Sequence, residues 1–373
     1  MLQTPFGSFQ LQRYPRPPAA QLQAWNGADM LLLEALAARG VFEAKQIITV
    51  NDEHGALSIP LAGSAIWTDS RLSQIAIAQN AALNDVTLGH FIDAENELDA
   101  RYSAVLLRIP KQLSLLRWQL QWLREHLPAG TPVLCAGMDK HLPRGCAEVL
   151  EQYLGPTERH RGSRKARLFS TLIDSTLSAV EPFFLSYSID QLEQPLDTAV
   201  NVFSRQQLDI GSRFLLEQAR SWPNARTVVD LGCGNGLLGL VAMTASQTPP
   251  DDVIFIDESR LALQSAQRNT ERLQNASTRC HFLHSDGLLD YPQQLPAPDL
   301  VLCNPPFHQG HLVDDWIGRR LLSQCASALT SGGELWLVAN RHLRYVDSLT
   351  REFASVEQVA RNNKFIIYRA VAK

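Results

Sequence analysis

The chain has 373 residues, 45% of them hydrophobic, which is enough for two cores and large for one. A formal net charge of −4 excludes a protein that gathers polyanions by overall charge, so any nucleic-acid footprint has to be local. Six cysteines without a Cys-x-x-Cys pair point to reduced thiols and no zinc. No apolar run reaches membrane length and Met1–Pro18 lacks a signal-peptide core, so a cytoplasmic protein with no membrane partner is expected.

The first half alternates strand, loop and helix. Ile47-Ile48-Thr49-Val50 reads as a buried strand and runs into Asn51-Asp52-Glu53-His54-Gly55. Ala65-Ile66-Trp67 leads through Thr68–Arg71 to a helix carrying Ile75, Ile77 and Asn80. Val105-Leu106-Leu107 ends in Arg108-Ile109-Pro110-Lys111, and Leu127-Pro128-Ala129-Gly130 precedes Val133-Leu134-Cys135. A basic run follows, Arg159, His160, Arg161, Arg164, Lys165 and Arg167, with no acid among them. Facing RNA, it would grip phosphates without reading sequence. Arg159, Arg161, Arg164, Lys165 and Arg167, with Lys364, are therefore the expected RNA-binding residues; Lys111, Arg341, His342 and Arg344 are secondary. The domain boundary is expected near 175–185, giving domains 1–178 and 179–373.

The second half carries the chemistry. Asn201-Val202-Phe203-Ser204-Arg205 and Leu208-Asp209-Ile210-Gly211 precede a short helix, and this segment, Phe203 included, is expected to cap the methionine end of a cofactor. Thr227-Val228-Val229 is a buried β-branched strand closed by Asp230, after which Gly232, Gly234 and Gly236 alternate and Leu237, Leu238, Leu240 and Val241 resume as a helix. Glycines there permit positive φ and let a nucleoside approach the backbone. Gly234–Gly239 also satisfies G-x-G-x-x-G, the fingerprint of dinucleotide oxidoreductases. The upstream acid favours S-adenosylmethionine, because a pyrophosphate gains nothing from Asp230. Asp257, closing Val253–Ile256, suits ribose hydroxyls in either case. In Ser285-Asp286-Gly287, Asp286 is placed to accept from an adenine amino group.

Asn304-Pro305-Pro306-Phe307 follows the strand pattern Asp299–Cys303. An exocyclic base amine is a poor nucleophile because its lone pair delocalises into the ring. The Asn304 side-chain oxygen and the Pro305 carbonyl can accept from it and favour pyramidal geometry as transfer begins. Pro305 and Pro306 stiffen that backbone, and Phe307 offers a face for an unstacked base. The pairs His281/His284 and His308/His311 have ligand-like spacing but no cysteine or acid arranged around them, so no metal is expected.

The two halves also repeat one another. Gln46–Leu57 parallels 227–238, Ala65–Arg71 parallels Val253–Arg260, and Asn80 stands opposite Asn269. Val105–Lys111 parallels Val301–Phe307, and Leu127–Gly130 parallels Thr330–Gly333. The first copy has lost its glycines to Asn51 and Glu53, and the Asn-Pro-Pro-Phe quartet to Ile109-Pro110-Lys111-Gln112. The expected fold is α/β: two tandem Rossmann-like class I methyltransferase domains of seven strands each, the first degenerate and the second catalytic.

Asp230–Gly239, Asp257-Glu258-Ser259, Cys303–Gln309, Val338–Leu343 and Asn362-Asn363-Lys364-Phe365 resemble the bacterial ribosomal-RNA guanine-N2 methyltransferases. Leu11–Pro15, Leu22–Asp29, Asn51–Ser58, Ile109-Pro110-Lys111 and Leu154–Thr157 resemble the large-subunit branch of that family. The resemblance spans nearly the whole chain. It implies S-adenosylmethionine as cofactor, held by Asp230, Gly232, Gly234, Gly236, Asp257, Glu258, Asp286, Gly287, Asn304 and Phe203. It implies 23S rRNA as partner, N2-methylation of one guanosine, and no obligate protein partner. Adenine-N6, cytosine-N4 and glutamine-N5 methyltransferases share the catalytic motifs. A 16S rRNA enzyme, a glutamine methyltransferase and a non-catalytic RNA-binding protein that senses S-adenosylmethionine remain open.

Overall fold

A computed structural model describes residues 1–16, 22–40, 43–93, 102–245, 248–273, 277–305, 312–343 and 345–373. The chain divides into two compact units, Met1–Phe183 and Phe184–Lys373. The segment after Leu172 belongs to the first unit: Arg124 donates to the Ala179 carbonyl at 2.7 Å, the Gln121 side-chain oxygen accepts from the Glu181 amide at 2.8 Å, and Phe183 packs on Trp118.

The second unit is built on a seven-stranded sheet in the order Arg279–His284, Asp252–Asp257, Thr227–Leu231, Leu300–Cys303, Glu334–Asn340, Phe365–Val371, Ser355–Arg361. The first five run parallel, and Phe365–Val371 is antiparallel to both of its neighbours. Strand alternation sorts the side chains into two apolar layers. Val228, Val253, Phe255, Leu302 and Trp336 meet the helix Leu237–Ala245 on one face; Val229, Ile254, Ile256, Val301 and Leu337 meet Leu322, Cys325 and Leu349 on the other. Order reverses between Thr227–Leu231 and Leu300–Cys303, which is where ligands dock in open α/β sheets, beyond the carboxyl ends.

The first unit repeats this order, with one strand fewer among the described residues: Ala65–Trp67, Ile47–Val50, Ala104–Arg108, Pro132–Met138, Ala166–Leu172, Thr157–Arg159. Among the described residues the expected seventh strand is a single bridge from Ile66 to Phe91, flanked by hydrogen bonds of Ile66 N to His90 O and Ile92 N to Ile66 O. One buried asparagine plays the same part in each unit. Asn269 donates to the Asp197 and Asn235 carbonyls and accepts from the Asp197 amide; Asn80 donates to the Gln12 and His54 carbonyls and accepts from the Gln12 amide. These long-range bonds recur at the positions that the sequence repeat matches.

The sheet registers correct one alignment. Val50 pairs with Leu107 and Leu231 pairs with Cys303, so the residue in Asn304's place is Arg108, one before Ile109. The first unit's turn is locked by its own side chains. The buried Asp52 carboxylate accepts from the amides of Gly55, Ala56, Leu57 and Ser58 and from the Ser58 hydroxyl. Asn51 exchanges hydrogen bonds with Gln119 and donates to the Arg108 carbonyl.

Candidate active site

The glycine turn is anchored from below. Gly232 and Cys233 both donate to the Ile256 carbonyl, at 2.8 and 3.0 Å. Gly232, Gly234 and Gly236 have φ of 69°, 54° and 84°, in the left-handed region glycine tolerates. Their surroundings differ. Among the described residues a Cβ on Gly232 would meet nothing within 4 Å and one on Gly234 only Val202 at 3.9 Å, whereas one on Gly236 would press on Ala266 at 3.0 Å and Phe255 at 3.2 Å. The first two glycines thus keep a cradle open; the third lets the helix pack.

Asp230 is buried beneath this turn, with Oδ2 accepting from the Gly239 amide at 2.8 Å. Its Oδ1 is buried and has no partner among the described residues. Burial pushes its pKa up to about 8, against the pull of the Gly239 and Leu238 amides. Asp257 accepts from the Gly234 amide through one oxygen and from the Ser259 amide through the other, each at 2.9 Å. This fixes the turn against the end of its strand, and a carboxylate retains lone pairs for a further donor. Glu258 is exposed, and its carbonyl pairs with His284.

Asp286 is buried and is forked by both Arg320 terminal nitrogens, an ion pair the sequence does not show. Gly287 follows at φ 58°, where a Cβ would meet the Gln324 side chain. Phe203 is 68% exposed, and it is its neighbour Val202 that faces the glycine turn.

Asn304 lies at the carboxyl end of Leu300–Cys303, beside the start of the glycine turn. Its side-chain nitrogen donates to Asp209 Oδ2 at 3.1 Å and to Ser212 Oγ at 2.8 Å. Its Oδ1 is buried without a partner among the described residues. Leaving a desolvated acceptor unpaired costs roughly 1–3 kcal/mol, which a ligand donor there would recover. Pro305 is buried; Pro306 and Phe307, with His308 and His311, lie outside the described residues. Asp209 lies in the segment expected at the methionine end of the cofactor, but its bond to Asn304 escapes sequence reading, and Ser212 was missed altogether. An Asp three residues before a Ser at a helix start signals only capping, and nothing local reveals a partner 95 positions away.

The expected basic patch is largely neutralised. Arg159 pairs with Glu148 and Glu151, Arg164 forks Glu34, and Arg167 pairs with Asp139, all of them acids from outside the run. Arg161 and Lys165 are exposed and make no ion pair among the described residues. Lys364 is exposed at the turn before Phe365–Val371, its ammonium 5.1 Å from the Phe365 ring centre. His281 pairs with Asp252 at 2.9 Å.

A seven-stranded sheet with this order, a glycine turn at the switch point and an asparagine amide beside it define the class I methyltransferase architecture. The comparisons agree. Residues 1–175 match the family model "RLMG N-terminal domain" and residues 193–369 the "Methyltransferase small domain". The chain is 40% identical over 376 residues to the ribosomal RNA large subunit methyltransferase G of Stutzerimonas stutzeri, covering 100% of this chain and 99% of that one. It is 41% identical over 381 residues to the protein of that name from Alcanivorax borkumensis, covering 98% and 95%. The chain belongs to the ribosomal RNA large subunit methyltransferase G family. Among solved structures, the T. thermophilus 16S rRNA N2 G1207 methyltransferase, in complex with AdoMet and guanosine, matches at a TM-score of 0.75 and 20% identity over 98% of both chains, a likeness of fold.

Proposed function

We propose that the chain transfers a methyl group from S-adenosylmethionine to the exocyclic N2 of a guanosine in 23S rRNA. The observation that carries this reading is Asn304 Oδ1, an acceptor buried and without a partner among the described residues, at the switch point beside the glycine cradle. Gly232, Gly234 and Asp257 suit a nucleoside cofactor, because the missing Cβ atoms leave space among the described residues and the carboxylate, at the carboxyl end of its strand beside the glycine turn, could accept from ribose hydroxyls. Bound there, S-adenosylmethionine supplies a methyl group already activated on a positively charged sulfur. The protein's work is alignment. Asn304 Oδ1 and the Pro305 carbonyl accept from the target amine, hold its lone pair in line and favour charge developing on nitrogen. Pro306 and Phe307 complete the motif, with Phe307 stacking the unstacked guanine at a cost of a few kcal/mol.

The first unit keeps the fold and loses the chemistry, and its role on this reading is to hold RNA. Arg161, Lys165 and, in the second unit, Lys364 are the cations for phosphate contact. The substrate places the work in the cytoplasm. The experiment is methyl transfer from tritiated S-adenosylmethionine to unmodified 23S and 16S rRNA in parallel, with nucleoside digestion. N2-methylguanosine confined to 23S is expected. Label in 16S alone moves the target to the small subunit, and RNase-resistant label points to a glutamine amide.

A further inference from the structure

We propose that Asp209 and Ser212 are positioning residues that lock the Asn304 amide, so that its oxygen and never its NH2 meets the target amine. This rests on the reading above, in which Asn304 Oδ1 accepts from that amine. A primary amide is nearly the same shape when flipped, but donor facing donor abolishes the contact. An ionised carboxylate accepts only. Asp209 Oδ2 at 3.1 Å and Ser212 Oγ at 2.8 Å provide an acceptor for each Nδ2 hydrogen, leaving Oδ1 as the atom presented.

The backbone is shaped around this contact. A Cβ on Gly211 would lie 2.9 Å from Asp209 Oδ2 and 3.4 Å from Asn304 Oδ1, so only glycine lets carboxylate and amide meet here undisturbed. Asp209 also accepts from the Ser212 amide at 2.9 Å, which ties the two acceptors into one unit. The carboxylate's charge polarises the amide and strengthens Oδ1 as an acceptor while positive charge grows on the attacking nitrogen. The residues 209–212 thus serve the amine-binding atom, beyond any role in capping their helix.

Capping and locking separate experimentally. Asp209→Asn keeps an effective helix cap but not an acceptor-only group; Ser212→Ala keeps the capped amide and removes the hydroxyl; Ser212→Thr keeps both. Single-turnover transfer to rRNA, KM for rRNA, calorimetric cofactor affinity and hydrogen exchange of the Asn304 side-chain ¹⁵NH2 signal are measured on the full chain. The Asp209→Asn/Ser212→Ala double variant is expected to lose roughly ten- to a hundredfold in rate, with KM and cofactor affinity within about twofold, and to exchange its Asn304 amide hydrogens faster. Ser212→Thr is expected to stay near wild type. A double variant within about threefold of the wild-type rate, or one losing cofactor affinity as steeply as rate, overturns the positioning role. If Asn304→Ala is inactive while the double variant works, that role alone falls. If Asn304→Ala transfers at the wild-type rate, the reading of Asn304 fails and the positioning role goes with it.

Discussion

Arg108 and Asn304 occupy the same place in two sheets, and each is held by the third residue of a helix: Arg108 by Asp29, Asn304 by Ser212. The first unit holds an ion pair where the second holds a neutral pair. A guanidinium that can only donate and a buried acid stand where the second unit has an amide that can present an oxygen and a serine. Burial raises the pKa of Asp29 and Arg108 opposes that shift, so the two charges have to be kept together.

Arg108→Ala leaves the Asp29 carboxylate, 2% exposed, without its partner. A loss of about 3–5 kcal/mol in the stability of the first unit is expected. Denaturant unfolding checks this, with calorimetric cofactor affinity as the control. Loss of cofactor binding in the variant would mean that the ion pair is not confined to the first unit's fold.

Gly232→Ala and Gly236→Ala separate binding from folding. Both force a side chain into the left-handed region, at about 1–2 kcal/mol. Only at Gly236 does the new methyl meet packed neighbours, Ala266 and Phe255; at Gly232 it enters open space. Gly232→Ala is expected to weaken cofactor binding more than it lowers the melting temperature, and Gly236→Ala the reverse. Calorimetry and thermal melts on the same samples decide it.

Asp230 gives the chain a pH signature. Its folded pKa, about 8, stands above the ordinary 3.8, so the folded state holds a proton that the unfolded state releases. The contribution to stability is present in full below pH 3.8 and is lost as pH rises through about 8. The melting temperature of Asp230→Asn relative to the unsubstituted chain is therefore expected to climb across that window. A flat difference would contradict the burial of an ionisable group there.

Arg161 and Lys165 are the cations of the basic run with no ion pair among the described residues. Replacing both with alanine is expected to flatten the salt dependence of rRNA binding by about one to two counterions. Replacing the paired Arg159 and Arg167 changes it less. Binding isotherms at several salt concentrations distinguish the two sets.

The second unit's sheet was legible because each buried strand ends in a local signal: Asp230 with its glycines, Asp257, and Asn304 with its prolines. The duplication was legible for the same reason, down to Asn80 and Asn269. What local pattern cannot carry is pairing at a distance. The acids that neutralise Arg159, Arg164 and Arg167 are invisible within the run itself. Asp286 reads as a free loop acid until Arg320 folds onto it. Hydrogen-bond register shows the first unit's seventh strand reduced to a bridge among the described residues, and it decides between the two alignments that put Arg108 or Ile109 opposite Asn304, where one residue of slip reassigns a site.

The most direct test of the central claim is the single-turnover rate of N2-methylguanosine formation in 23S rRNA by the unsubstituted chain and by Asn304→Ala, with cofactor affinity measured on both. The account expects the rate to fall by about a hundredfold or more while cofactor affinity stays within about threefold. An Asn304→Ala chain that methylates N2 at an unchanged rate, or that loses rate only in proportion to cofactor affinity, would contradict it.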